Sequence, residues 1–334
     1  MTDAIPVYLD CDTGIDDAVA LAYLIAHPGV RVVGIGTVSG NVSAERAASN
    51  TLALLAAAGV DDVPVAVGAA DPLGGSFHGG APRVHGEDGV GGVGGILPSA
   101  TRQPETATDA AGLLIRLAAD YGAELRVLAV GPLTNFAVAL RRDASVASRV
   151  HSVTVMGGAL DAPGNVSLVA EANLRNDPAA AAEVLAAPWP VTLVPLDVTT
   201  QHTFGEAHRA ELLAAPGQVP RLLGAMLDTY FGFYTARYGE RRCALHDPLA
   251  AAAVVGDVGE PAWRRGWFDV VDDHAHADHG RVIELEPVLP HDHDGPSRPA
   301  SRALMGADAA VADRILRRIL QHDWPVAATG SREG

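Results

Sequence analysis

The chain has 334 residues, 48% of them hydrophobic, enough to bury a large core as one large domain or two ordinary ones. Its 24 basic residues, all arginine, face 40 acidic ones for a formal charge of −16. An acidic chain without basic clusters argues against recognition of nucleic acid or an anionic membrane through phosphate contacts. No segment offers about 18 uninterrupted apolar residues, and MTDAIPVYLD has no basic patch or apolar run of a leader peptide, so a cytoplasmic protein is expected. Cys11 and Cys243 are too few for a disulfide scaffold or a cysteine-based zinc site and are expected to be reduced.

The first two thirds alternate short β-branched runs with Ala/Leu-rich stretches of helical spacing, the pattern of βα units around a mostly parallel sheet. In chain order the expected strands are Val7–Asp10, Val30–Thr37, Val63–Val67, Leu125–Val130, Ser152–Met156 and Val191–Leu196. The expected helices among them are Asp17–Ala26, Ala44–Ala58, Ala107–Tyr121, Asn135–Arg141 and Pro178–Ala186. Right-handed crossovers put the C-terminal ends of the strands on one edge, where α/β proteins place their ligands. Residues 70–100 are rich in glycine, including GGSFHGG and HGEDGVGGVGG, and a loop so long in a compact domain is expected to be functional.

After Asp197 longer helical stretches follow, Gly205–Ala215, Val219–Tyr238 and Pro248–Val255, expected to cap the sheet or cover its ligand edge. Two further strands, Trp267–Val271 and Val282–Glu286, precede a final helix near Asp308–Leu320. Without a Pro/Ser-rich linker or a repeat, residues 1–325 read as a single domain with a helical covering region over about 200–256, and 326–334 as a disordered tail.

The sharpest feature is LDCDTGIDD, Leu9–Asp17, with four aspartates at the end of the first strand. Side-chain alternation sets Asp10 and Asp12 on one face and Leu9 and Cys11 on the other, Gly14 permits a turn, and Asp16 or Asp17 opens a helix as its cap. Carboxylates this close repel and need a cation, protons or hydrogen-bond donors. Helix capping with a solvated turn accounts for one or two of them. An EF-hand loop fails because its twelfth residue would be Leu21 rather than Glu. A phosphatase of the haloacid-dehalogenase type, with Asp10 and Asp12 as its DxD pair, lacks the usual phosphoryl-binding lysine. The remaining reading is a divalent-ion site of hard oxygens, which favours Ca²⁺.

DCDTGIDDA resembles the N-terminal signature of the nucleoside hydrolases. Other segments similar to that family follow in order: TVSGN (Thr37–Asn41), HGEDG (His85–Gly89), VGPLTN (Val130–Asn135), MGG (Met156–Gly158), GNVSLVAEANLRNDP (Gly164–Pro178) and LHDPLAA (Leu245–Ala251). The likeness spans about residues 5–255. It implies a Rossmann-like α/β fold, with the active site at the strand C-terminal ends and hydrolysis of the N-glycosidic bond of ribonucleosides to ribose and a free base. It also implies one Ca²⁺, no organic cofactor, a part in purine or pyrimidine salvage, and a homotetramer or homodimer.

By that resemblance Asp12 is both calcium ligand and general base, Asp17 and Asp247 are ligands, and the Val130 carbonyl completes the set. Asp16 matches the position that hydrogen-bonds ribose hydroxyls; Asn41, Asn165, Glu171 and Asn173 match further ribose and water contacts, and Met156 touches the sugar. His246 matches the leaving-group acid of the pyrimidine or inosine-uridine branch, His85 is a second candidate for base contact, and Tyr234 and Tyr238 line the site. Asp10 is assigned the orienting of neighbours, and Thr134 and Asn135 are read as turn and cap residues. Ala172 departs from the family's AEFN, which alters the wall around the sugar's 5′ end. The His/Asp-rich segments DDHAHADHG (Asp272–Gly280) and HDHDG (His291–Gly295) are expected to be solvated. A purine-specific enzyme, the phosphatase and a catalytically silent nucleoside- or metal-binding module are the alternatives.

Overall fold

The structure is a computed structural model that describes residues 4–286 and 299–326. The tail at 327–334 and the HDHDG segment lie outside the described residues. Eleven strands form among the described residues: β1 Ile5–Cys11, β2 Val30–Thr37, β3 Val65–Val67, β4 Arg126–Ala129, β5 Ser152–Met156, β6 Val191–Val194, β7 Thr203–Gly205, β8 Arg242–Ala244, β9 Ala262–Val270, β10 Val282–Leu285 and β11 Ser301–Gly306. Nine make one sheet in the order β10-β9-β11-β6-β5-β4-β1-β2-β3, and β7 pairs with β8 in a small antiparallel sheet of two strands. Every neighbour from β11 to β3 runs parallel; β9 alone runs against the rest, pairing antiparallel with both β10 and β11.

Within β1 the run VYLDC, Val7–Cys11, is buried throughout, as expected of a strand covered on both faces. Helices pack on each side. Ile15–Ala26, His246–Val255 and Val311–Gln321 meet over one face, where Ile15, Leu24, Leu249 and Ile315 join one apolar cluster. Ala110–Tyr121, Thr134–Arg142 and Pro178–Ala186 meet over the other, around Leu113, Phe136, Ala181 and Trp189. Local signals fix their ends. Ser43 Oγ accepts from Arg46 N to cap Ala44–Ala58, which stops at Gly59 in the left-handed region, φ 69°, where the lack of a Cβ removes the usual strain. Asp109 caps the helix from Ala110 by accepting from Gly112 N.

The sequence order β3-β2-β1 on one side and β4-β5-β6 on the other makes the gap between β1 and β4 the topological switch point. Crossovers leave in opposite directions there, and the diverging loops open a crevice. Asp12 leaves β1 and Val130 leaves β4 at this point.

Several boundaries and one strand differ from the sequence reading. β11 was not expected: SRALMG is short, and only its seat between β6 and β9 makes it a strand. The helix expected from Asp17 begins at Ile15, with Gly14 as its N-cap position, so neither Asp16 nor Asp17 is the cap residue. The last helix begins at Val311 rather than near Asp308. The glycine-rich loop holds a short helical turn, Pro82–His85. The covering region is built from Glu206–Ala214 and Gln218–Tyr238, with their outer ends joined by the paired strands β7 and β8, which had no sequence signal.

Candidate active site

Asp12, Asp16, Asp17 and Asp247 are all buried. Carboxylate oxygens of Asp16, Asp17 and Asp247 lie within 4.8 Å of one another, so these three groups can hold a metal ion. Asp17 reaches this place from the third position of its helix, where its Oδ2 accepts from Gly14 N at 2.7 Å and its Oδ1 from Asp12 N at 3.2 Å. Asp247 occupies the first turn of His246–Val255, and among the described residues its side chain has no hydrogen-bond donor. Asp16 Oδ2 accepts from Tyr230 OH at 2.8 Å, while Oδ1 is buried without a partner.

Burial drives the Asp12 carboxyl well above its ordinary range, reinforced by the charge of Asp17. Asp247 rises in the same way, through burial and then the charges of Asp16, Asp17 and Asp12. Asp17 is pushed up to about 7 by burial and then by Asp16. Such a group wants compensating positive charge: buried like-charged carboxylates stay ionised only beside a cation or strong donors. An orphaned oxygen on Asp16, a donor-free Asp247 and hard oxygen chemistry together fit a divalent cation.

Amides arrange the rest. Asn41, beyond the end of β2, donates from its backbone N to Asp12 Oδ2 at 2.6 Å and from Nδ2 to Asp12 Oδ1 at 3.2 Å and Asp17 Oδ2 at 3.3 Å. Asn173 Nδ2 donates to the carbonyls of Val130 at 2.9 Å and Met156 at 3.1 Å, and lies 3.4 Å from Met156 Sδ. Glu171 accepts from Asn173 N and Leu174 N, and from Gly158 N at the end of β5. Burial outweighs these donors and pushes its carboxyl up to about 7.

Asp10 sits apart from the cluster, below it on β1. Its carboxylate accepts from Tyr8 OH at 2.8 Å and from Asn135 Nδ2 at 3.1 Å, and Asn135 Nδ2 also donates to the Thr37 carbonyl at 3.0 Å. Asn135 Oδ1 accepts from Ala69 N. Asn135 is therefore not a cap or turn residue; it ties the C-terminal ends of β1 and β2 together from the helix that follows β4. Thr134 is not a cap either, since its Oγ1 donates to Asp177 Oδ2 at 2.7 Å.

On the opposite flank, His246 Nδ1 is 2.8 Å from Thr199 Oγ1 and its Nε2 is 3.0 Å from Tyr234 OH. Burial lowers its pKa to about 4, so the ring is neutral near pH 7. Tyr230, Tyr234 and Tyr238 succeed one another at four-residue intervals along Gln218–Tyr238, edge-on for the first pair and stacked for the second. His85, buried in the Pro82–His85 turn, accepts from Ile15 N at 3.1 Å through Nδ1, which is 3.8 Å from Asp16 Oδ1.

Most residues singled out from the sequence thus converge: Asp12, Asp16, Asp17, Asn41, His85, Val130, Met156, Glu171, Asn173, Tyr234, His246 and Asp247. Tyr238 is half-buried, further along the helix, with Arg242 over its ring. Asn165 is exposed, and its Oδ1 accepts from Ala172 N, so it joins the site only through the loop. Two contributors escaped the sequence, Tyr230 and Thr199, while Asn135 was read there as a turn or cap residue. Tyr230 was detectable as the next step back in the Tyr234–Tyr238 spacing; nothing local distinguishes Thr199.

A switch-point crevice lined by buried carboxylates, with a neutral histidine and tyrosines along one wall, defines an α/β enzyme whose site can hold a cation. The chain belongs to the inosine-uridine preferring nucleoside hydrolase family, whose family model matches residues 7–313. It is 39% identical over 249 residues to a protein of Oryza sativa subsp. japonica named probable uridine nucleosidase 2, covering 75% of this chain and 73% of that one. Among solved structures, a plant nucleoside hydrolase superposes with a TM-score of 0.86 at 29% identity, over 95% of this chain and 99% of that one. A purine-preferring ribonucleoside hydrolase from Gardnerella vaginalis superposes with a TM-score of 0.84 at 28% identity, over 94% and 98%. The chain is accordingly a hydrolase of N-glycosyl bonds that acts on nucleosides, small-molecule substrates.

Proposed function

We propose that the protein hydrolyses pyrimidine ribonucleosides, uridine foremost, to ribose and the free base at the Asp12–His246 crevice, with Ca²⁺ as its metal. The observation that carries this reading is the convergence of Asp16, Asp17 and Asp247 oxygens within 4.8 Å, beside Asp12 and across from His246. Asp12, Asp17, Asp247 and the Val130 carbonyl would hold the ion, with Asp16 facing both ion and ribose. When bound, Ca²⁺ supplies charge that acidifies a water and grips vicinal hydroxyls.

The chain's own residues account for the remaining requirements. Asp12, oriented by two donors of Asn41, takes a proton from the attacking water as general base. Asp16, Asn41, Glu171 and Asn173 offer acceptors and amides to the ribose hydroxyls, and Asn165 reaches them through its loop. Negative charge around the ring favours the oxocarbenium character of glycosyl transfer. Met156 forms the floor under the sugar. Thr199, His246 and Tyr234 make a hydrogen-bonded chain that moves a proton to the departing base, with His85 and Tyr238 bounding the base. A neutral imidazole has one donor and one acceptor nitrogen, which suits it to relaying a proton.

The relative named for uridine supports the pyrimidine preference, and the paired His246 and His85 agree with it. The continuous sheet supports one domain over 1–325. The two free, buried cysteines suit a reducing, cytoplasmic compartment; among the described residues no helix is long and apolar enough to cross a membrane. The assembly, a homotetramer or homodimer, is read by light scattering. The test is ribose release from uridine, cytidine, inosine, adenosine and guanosine, with and without a chelator, for wild type and Asp12→Asn. Uridine turnover that survives both Asp12→Asn and the chelator refutes the reading; faster turnover of purine nucleosides overturns the pyrimidine preference.

A further inference from the structure

Two motifs of the sequence are left without a full task by the proposed chemistry. DDHAHADHG is largely exposed, as expected, with only His279 and Gly280 buried. HGEDG is instead built into the base side of the crevice, where His85 opens it. Among the described residues, every hydrogen bond of the Asp88 side chain comes from the backbone that follows it. Oδ1 accepts from Val90 N at 3.0 Å and Gly92 N at 2.9 Å, and Oδ2 accepts from Gly94 N at 2.8 Å. Partial burial pushes the Asp88 carboxyl up, but the N–H groups of Gly92, Gly94 and Val90 together outweigh it and hold the carboxyl below its ordinary range.

The stretch it gathers has little order of its own. Gly86, Gly89, Gly91 and Gly92 all hold φ between 74° and 82°, and glycine loses more conformational freedom on ordering than any other residue. An ionised acceptor for three backbone N–H groups offsets that loss, because bonds to a charged group are roughly twice as strong as neutral ones. The order is then passed on. Gly91 N donates to the His85 carbonyl at 2.7 Å, and the Gly91 carbonyl accepts from Thr229 Oγ1 of the covering helix at 2.8 Å. A Cβ on Gly91 would stand 2.9 Å from the Met226 carbonyl oxygen, so the loop backbone lies directly against that helix. Asn50 Nδ2 donates to the Asp88 carbonyl at 2.9 Å and to the Thr13 carbonyl of the aspartate turn at 3.3 Å.

The structure assigns Asp88 as the positioning residue of the base-side wall: its carboxylate folds the glycine stretch that sets His85 and the covering helix at fixed places around the base. This rests on the proposed nucleoside reading, in which His85 bounds the base. His85 is held at two points, its carbonyl by Gly91 N and its Nδ1 by Ile15 N. A ring nitrogen that accepts carries no hydrogen, so the hydrogen of His85 is on Nε2, which has no partner among the described residues and is left for the base. Asp88 acts through His85 and not on the substrate. His85 meets the base before and during bond cleavage alike, so a loosened His85 raises KM more than it lowers kcat.

The experiment measures uridine kinetics and amide hydrogen exchange for wild type, Asp88→Ala, Asp88→Asn, Thr229→Val, His85→Ala and the double variant Asp88→Ala with His85→Ala. In Asp88→Ala we expect KM to rise about tenfold with kcat within about threefold of wild type. The Gly91 amide, which bonds to His85 and not to Asp88, should exchange roughly tenfold or more faster in that variant. In the His85→Ala background, Asp88→Ala should change KM by less than about twofold, as for two residues that act as one unit. Should Asp88→Ala fail to fold, Asp88→Asn, which keeps an acceptor for Val90 N and Gly92 N, and Thr229→Val, which cuts only the tie to the helix, carry the test; each should raise KM about threefold, and a wild-type KM in both overturns the inference. A wild-type KM in a folded Asp88→Ala, an equal rise in both backgrounds, or a loss confined to kcat also overturns it and leaves the nucleoside reading intact. Faster Gly91 exchange in Asp88→Ala of a protein that turns over no nucleoside does the reverse: the nucleoside reading falls, and Asp88 stands as the residue that orders this wall.

Discussion

Gly40 offers a direct test of whether the placement of Asp12 governs the reaction. A Cβ added there would overlap Asp12 Oδ2, with Asp12 Cγ at 2.8 Å and Pro132 Cδ at 2.9 Å. Carbon–carbon contacts settle at about 3.5–4.0 Å, so in Gly40→Ala either the carboxylate or the 40–41 backbone must retreat by roughly 1 Å. Both movements break the same geometry, because Asn41 N holds Asp12 Oδ2 at 2.6 Å. A misplacement of about 1 Å at the reacting centre can cost about a hundredfold in rate. The strain itself should cost about 1–3 kcal/mol of stability, which leaves the protein folded. We therefore expect Gly40→Ala to retain its circular dichroism and melt several degrees lower, while kcat/KM on uridine falls about a hundredfold. The control is Gly232→Ala, in the long covering helix, where a Cβ meets nothing within 4 Å; it should keep full activity and gain about 0.5–1 kcal/mol from helix propensity. A Gly40→Ala enzyme with wild-type kcat/KM would sink the argument that Asp12 must stand where Asn41 holds it.

Further outcomes follow from the same geometry. Tyr234→Phe removes one end of the His246 chain and should lower kcat on uridine about tenfold or more with little change in KM; a change confined to KM would make Tyr234 a binding residue only. Asn135→Ala strips a donor from buried Asp10 and should cost about 1–3 kcal/mol in urea unfolding; an unchanged midpoint would refute its bridging role. Without metal, Asp10, Asp17 and Glu171 sit at about 7 through burial, raised above their unfolded values, so the folded state holds protons that the unfolded state gives up. Their stabilisation is complete below about pH 4 and is lost as pH rises through about 7, so the urea midpoint in chelator should fall between about pH 5 and 8. A midpoint that rises over that interval contradicts the burial argument. Saturating Ca²⁺ should lift it near pH 8 by mass action, by about 2.7 kcal/mol at a hundredfold excess over Kd, whereas equal shifts with Mg²⁺ would count against a site suited to the larger ion.

What the sequence determined by itself was the alternation of elements and the inventory of chemistry. Period-2 and helical patterns, with breakers such as Gly59, are local properties of neighbouring residues, so β1, β2, β5 and most helices were legible to within a few positions. DCDTGIDDA and LHDP announced carboxylates and a histidine because those residue types cluster in the chain. Tertiary structure decided which of them meet. β11 is a strand only because β6 and β9 flank it, and Asp10 differs from Asp12 because Tyr8 and Asn135 enclose one while Asn41 and Asp17 surround the other. Asp16, Asp17 and Asp247 become one cluster only through the crossing of Ile15–Ala26 with His246–Val255. His78 of the glycine-rich loop, Arg175 of the short helix Ala172–Asn176 and His279 beyond β9 come to line one cavity though distant in sequence. Pairings of this kind depend on loop closure and packing over long sequence separations, which no local pattern encodes.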